Sequence, residues 1–153
     1  MKKKKKLIVG TIMILTIILI DQLMKFFLTN KNVDIIPGIL TFKYLKNYGV
    51  AFGFGKNINT PVIFINLTLV ALILILLVKI DFEKKICIPL FMVIGGAISN
   101  CIDRIFRGFI VDFFYVRFFK FPVFNAADIF ISIGILSLML FVFISLFKTE
   151  SNK

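Results

Sequence analysis

Apolar residues in this chain fall into four long blocks separated by short polar stretches. Pro61–Val78 and Ile129–Phe147 run 18 and 19 residues without a charge. Ile86–Ile102 runs 17, interrupted by little beyond Pro89, Ser99 and Asn100. Each approaches or meets the length a helix needs to cross about 30 Å of hydrocarbon, so three spans are predicted.

The first block is shorter. Leu7–Ile20 gives 14 uncharged, mostly apolar residues after the run Lys2 to Lys6, which is also how a secretory signal peptide is built. No small-x-small cleavage pattern follows; the next residues are Asp21, Gln22, Leu23, Met24 and Lys25. Asp21 and Lys25 stand four apart with the acid first, the spacing of an ion pair on one helix face. With both turned to protein or headgroups, the helix continues to about Leu28 and spans. A retained fourth span is the expectation.

Four spans place both termini on one side, and the lysine run makes that side cytoplasmic. Lys79, Lys84 and Lys85 in the short inner loop reinforce the assignment. Two longer segments, 29–60 and 103–127, then face outward. In the first, Leu40, Phe42 and Tyr44 alternate with Thr41, Lys43 and Leu45, which predicts a strand. Gly49, Gly53 and Gly55 break up Asn47–Lys56 as a bulged second strand or tight turn would. A small sheet on the membrane surface follows. The second segment mixes Phe113, Phe114, Phe118, Phe119, Phe121 and Phe124 with Arg117 and Lys120, a composition suited to the headgroup interface. An amphipathic surface helix with no part in any site reads equally well there.

Composition narrows the class. The 153 residues are one domain's worth, 59% hydrophobic with a mean hydropathy of +1.01, more apolar surface than a small soluble fold can hide. The net charge of +11 sits largely in the lysine run and just outside the apolar blocks, where it suits anionic lipid headgroups. No nucleic-acid motif accompanies it. The absence of His excludes His triads and His metal sites. Cys87 and Cys101, 14 apart on one helix, would lie about 21 Å from each other, beyond disulfide reach.

Only eight acidic residues exist. Asp34, Asp81, Glu83 and Glu150 lie in loops or the tail. Asp21, Asp103, Asp112 and Asp128 lie at or near outer ends of spans, where a carboxylate is expensive and marks a candidate site. Asp112 has only apolar neighbours, and Asp128 opens the fourth span. Two carboxylates gathered in a low-dielectric site cannot easily both ionise, so the pair offers a base and an acid at once. Hydrolysis of a peptide bond needs both. Plainer readings stand beside this one. Asn125 and Asp128 have the spacing of a helix cap with an acid in the first turn. Asp103 fits a surface ion pair with Arg104 or Arg107, and Asp112 a surface loop. Asn47 and Asn100 offer amides for a peptide backbone or oxyanion, or are polar groups satisfied within the bundle.

Five blocks in order resemble the lipoprotein signal peptidase family, of the signal peptidase II type. Asp21-Gln22-Leu23-Met24-Lys25 looks like its D-Q-x-x-K, and Asn47-Tyr48-Gly49-Val50-Ala51-Phe52-Gly53 like its N-x-G-A-A-F-G. Gly95 to Arg104 resembles G-G-A-x-G-N-x-x-D-R, and Gly108 to Phe113 resembles G-x-V-V-D-F. Phe121 to Asp128 is similar to W-P-x-F-N-x-A-D. The resemblance implies an all-α membrane protein: four transmembrane helices, a small extracytoplasmic β-sheet and a surface helix, in a single domain over 1–153. It implies an aspartyl endopeptidase of the cytoplasmic membrane acting near the extracytoplasmic face. Such an enzyme removes the signal peptide of diacylglyceryl-modified prolipoproteins, cutting N-terminal to the lipidated cysteine. By motif position the catalytic pair is Asp112 and Asp128. Asn47, Asn100, Asp103, Arg104 and Asn125 bind substrate or brace the site, and Asp21 and Lys25 support it. Membrane lipids and a lipid-modified prolipoprotein are the implied partners, with no metal, organic cofactor or nucleic acid. Val50, Ser99, Ile110, Phe121 and Ile129 depart from the pattern; none removes a carboxylate or a site asparagine. Intramembrane acids alone also fit a small ion-conducting or transport protein, or a non-catalytic assembly partner.

Overall fold

Helices form where the apolar blocks predict them. The computed structural model describes residues 3–49, 59–81, 83–118 and 121–150, with α1 at Lys3–Leu28, α2 at Asn59–Lys79, α3 at Lys84–Arg107 and α4 at Ala126–Glu150. All four are long and apolar enough to cross a membrane, α1 included. The chain is a multi-pass membrane protein.

Helix α3 is the central post. It packs against α1, α2 and α4, and over half of its span is buried, whereas α2 and α4 leave most of theirs outside. Leu136, Met139, Leu140 and Phe143 of α4 are exposed, a surface that lipid covers without penalty. Inside, Val70, Leu77, Cys87, Phe91 and Ile94 form the apolar core. Cys87 and Cys101 are buried and not joined in a disulfide.

Gly108 ends α3 in the left-handed conformation at φ 76°, a position that favours glycine because a Cβ is strained there. The chain turns directly into β3, Ile110–Val116. With β1 (Asn32–Ile36) and β2 (Leu40–Asn47), it makes a three-stranded antiparallel sheet in the order β1-β2-β3. Leu45 stands opposite Asp112 and Asn47 opposite Ile110. On its other side β3 is bridged to Phe124. Val111, Phe113 and Ala126 form a second small core, with Met24, Leu28 and Phe42 against it.

The predicted strand at Leu40–Leu45 is β2. The glycine-rich stretch expected as a bulged strand or turn falls mostly in 50–58, outside the described residues. Phe113 and Phe114 lie on β3 and not on an amphipathic helix, because Ile110 to Val116 is a run of β-branched and aromatic residues directly after a helix stop. Phe119 and Lys120 lie outside the described residues. Among the described residues no helix stands apart from the four spans, so the expected surface helix has no counterpart there.

The sheet gathers where α1 and α3 end and α2 and α4 begin. The lysine run and the α2–α3 loop lie at the opposite end, where Lys6 pairs with Asp81 at 2.8 Å.

Candidate active site

The site starts from a helix cap. Asn125 Oδ1 accepts the Asp128 N–H at 3.0 Å, and Asp128 Oδ2 accepts the Asn125 N–H at 3.2 Å, a reciprocal arrangement that fixes the first turn of α4. The capping reading of Asp128 therefore holds. Its other oxygen does something more, since Oδ1 accepts Nδ2 of Asn100, from α3, at 2.8 Å.

Asn125 reaches the other way as well. Its Nδ2 donates to Asp112 Oδ1 at 2.7 Å and to Asn100 Oδ1 at 3.2 Å. Asp112 Oδ2 accepts Nδ2 of Asn47, the last residue of β2, at 2.9 Å. Asp112 on a strand and Asp128 on a helix are thus joined in one network of three asparagine amides. Each amide donates to a carboxylate, so Asn47 and Asn100 are polar groups satisfied within the protein. Burial pushes the Asp112 carboxyl up from 3.8 to about 7, and the neighbouring Asp128 charge adds to the rise; the Asn47 and Asn125 amides and Lys25 oppose it. A carboxyl at about 7 holds or yields a proton near neutrality.

A buried ionic layer lies beneath. Lys25 Nζ sits 2.6 Å from Asp21 Oδ2, 2.8 Å from Asp103 Oδ2 and 3.0 Å from Asn100 Oδ1. All three charged side chains have no exposure. The expected Asp21–Lys25 pair is present, but Asp103 is no surface ion pair: it meets Arg107 on one oxygen and the buried Lys25 on the other. Burial is tolerable because the remaining lone pairs are used. Asp103 Oδ2 accepts the Val111 N–H at 3.0 Å, and Asp21 Oδ1 accepts the Ala127 N–H at 2.9 Å. Those are the residues immediately before Asp112 and Asp128. One lysine thus holds two carboxylates, and each carboxylate holds the backbone beside one aspartate of the pair.

Gln22 and Ser99 also belong to this layer, although the sequence pattern does not mark them as site residues. Gln22 Nε2 donates to Asp103 Oδ1 at 3.0 Å and to Ser99 Oγ at 3.0 Å, while Ser99 Oγ donates to Asp21 Oδ2 at 2.7 Å. A polar residue inside an apolar block is the signal that could have found Ser99. Arg104 donates Nη2 to the Gly49 carbonyl at 2.9 Å, and its Nε has no partner among the described residues.

Asp112, Asp128, Asn47, Asn100 and Arg104 line the polar end of a cavity of about 620 Å³. The rest of its wall is mostly apolar and comes from α2, α4, the Phe121–Phe124 segment before α4, Ala97 of α3 and Ile110 of β3, with Val62, Ile133 and Leu136 among it.

The chain itself matches a known group of proteins. A model of the family described as Signal peptidase (SPase) II matches residues 13–144. The chain belongs to the signal peptidase II family. It is 37% identical over 154 residues to the lipoprotein signal peptidase of Streptococcus agalactiae serotype V, covering 97% of each chain. It is 35% identical over 118 residues to that of Clostridium tetani, covering 73% of this chain and 74% of the relative. Its fold superposes with a TM-score of 0.83 on a solved structure described as a bacterial membrane enzyme, at 25% identity over 95% of this chain and 91% of the other. As a signal peptidase II family member the chain is a membrane aspartic peptidase by family. All nine residues marked by motif, Asp21, Lys25, Asn47, Asn100, Asp103, Arg104, Asp112, Asn125 and Asp128, lie in the asparagine network, the ionic layer or the cavity wall.

Proposed function

We propose that this chain, acting as one membrane-embedded domain over 1–153, removes the signal peptide from diacylglyceryl-modified prolipoproteins, cutting on the N-terminal side of the lipidated cysteine. Asp112 and Asp128 are the catalytic pair. The observation that carries this reading is their joining through Asn125 and Asn100 at the polar end of a mostly apolar cavity. A carboxyl titrating near neutrality beside a second carboxylate is the acid–base couple amide hydrolysis needs.

In the proposed reaction the pair shares one proton, and the two titrate jointly. The ionised carboxylate takes a proton from water as its oxygen bonds to the scissile carbonyl carbon. The protonated partner gives its proton to the departing nitrogen as the C–N bond breaks. One proton is gained and one lost, so the pair returns to its starting state. Asn47, Asn100 and Asn125 aim the carboxylates. Arg104, on the cavity wall with its Nε unpartnered among the described residues, is the cation placed to meet a substrate carbonyl. Holding the bond beside the pair contributes further, since orientation is worth several kcal/mol.

The termini are cytoplasmic and the site faces the other side, in the cytoplasmic membrane. The lysine run at the end of the bundle remote from the sheet supports that orientation. Mass analysis of the product tests the function: a mature chain whose new N-terminus is the lipid-bearing cysteine is expected. A product cut elsewhere, or an uncut precursor, contradicts it.

A further inference from the structure

Two polar side chains stand in the apolar wall of the cavity, away from the carboxylate pair. Ser132 lies on α4 four residues beyond Asp128, one turn or about 6 Å deeper into the membrane. Asn66 lies on α2, seven residues inside its start at Asn59, or about 10 Å down the axis. Both line the same cavity as Asp112 and Asp128. Asn66 is half-buried beside the Cys101 thiol, a poor acceptor, while Ser132 is exposed. Neither takes part in the asparagine network or the ionic layer. At hydrocarbon depth a weakly satisfied amide or hydroxyl is unfavourable unless something polar meets it. The wall around them, Val62, Ile129, Ile133 and Leu136, offers no such group.

We propose that Asn66 and Ser132 form a specificity subsite that donates hydrogen bonds to the ester carbonyls of the substrate's diacylglyceryl group. The proposal rests on the peptidase reading above and adds the recognition of the lipid's polar joint. The chemistry sets the distance. From the scissile nitrogen to the nearer ester runs the path Cα, Cβ, sulfur, two glycerol carbons and the ester oxygen. These are some six single bonds of ~1.5 Å or slightly more, foreshortened by bond angles to about 7 Å. With the scissile bond at the carboxylate pair, an ester carbonyl reaches the level of Ser132, and the acyl chains continue along the apolar wall. A free fatty acyl chain would need no donor there. An ester does.

The test compares two lipopeptides of one sequence, one with ester-linked acyl chains on the glyceryl-cysteine and one with ether-linked alkyl chains of equal length. kcat and KM are measured for wild type, Asn66→Leu, Ser132→Ala and the double variant. Wild type is expected to prefer the diester by about five- to tenfold in kcat/KM, the worth of one or two neutral hydrogen bonds, with the difference carried mainly by KM. In the double variant the preference falls to about one. A preference that survives in the double variant overturns the proposal, as does a wild type that cleaves both lipopeptides equally. An equal loss on both substrates also overturns it, pointing to peptide contact or packing. A wild-type protein that cleaves neither lipopeptide fails earlier, at the peptidase reading.

Discussion

The carboxylate of Asp21 accepts the backbone N–H of Ala127 at 2.9 Å, across 106 residues of chain. The contact ties α1 to the first turn of α4, one residue before Asp128. Asp103 does the same for Val111, one residue before Asp112. Lys25 lies between these two carboxylates, so the placement of both proposed catalytic groups depends on a cation that touches neither.

Removing that cation strands two buried charges. Lys25→Met is expected to destabilise the protein by about 3–5 kcal/mol, the usual loss when one partner of a buried ion pair is deleted. Thermal unfolding in detergent measures this as a large fall in Tm. Replacing the exposed Lys85, paired with Glu83 at 3.0 Å on the surface, is expected to move Tm little. Equal effects from the two substitutions would contradict the role given to the buried layer.

Asn125 serves both aspartates, as the cap of α4 and as a donor to Asp112. Asn125→Ala is expected to cost about 1 kcal/mol of helix stability through the lost cap. Activity is expected to fall more steeply, by roughly 10- to 100-fold, since a carboxylate shifted by about 1 Å loses its alignment. Asn125→Asp keeps a capping oxygen but loses the donor to Asp112 and buries a third acid beside the pair, so it is expected to restore neither stability nor turnover.

Helices α3 and α4 meet at Gly96. A Cβ there would lie 2.5 Å from the Ala127 carbonyl oxygen and 2.7 Å from Ile131 Cγ1. The backbone cannot yield as a side chain can, so Gly96→Ala is expected to push α4 outward, moving Asp128 and lowering activity at least tenfold. At Gly95 the added carbon meets only the Ile17 side chain, at 3.0 Å or more. Gly95→Ala is expected to be much milder, and steady-state assays of the two variants side by side check the order.

The pH dependence follows from Asp112. Its carboxyl is raised to about 7 by burial first and by the Asp128 charge second. The reactive form holds one shared proton, so turnover is expected to fall as pH rises through about 7 and that proton is lost. The Asn47 amide favours the anion. Asn47→Ala is therefore expected to move the alkaline limb to higher pH, in a kcat profile taken from pH 5 to 9. The sign for stability runs the same way. Between 3.8 and about 7 the unfolded carboxyl ionises while the folded one keeps its proton, so stability decreases across that window and levels off above it.

The four spans were legible because hydrocarbon demands long uncharged runs, and only α1 needed more. There the apolar block stops at Ile20, and the helix continues because Lys25 pairs with Asp21 and also finds Asp103, a partner 78 residues further on that no local pattern indicates. The sheet was half legible. Strand β2 alternates, but β1 is exposed at every position and β3 is buried over its first four residues, so neither gives the period-two signal of a half-buried strand. The two aspartates stood out as acids in apolar settings. What joins them was legible only through the resemblance: from the residues alone Asn125 reads as a cap and Asp103 as a surface ion pair, because burial is a property of the packed bundle.

Cleavage of a diacylglyceryl-modified precursor by Asp112→Asn and Asp128→Asn, followed on a gel against wild type, tests the central claim most directly. Each variant keeps the shape of the side chain and loses the ionisable oxygen. Turnover is expected to fall by at least about 10³-fold in both, with both proteins still inserted and as helical as wild type. Cleavage by either variant at a substantial fraction of the wild-type rate contradicts the two-aspartate mechanism.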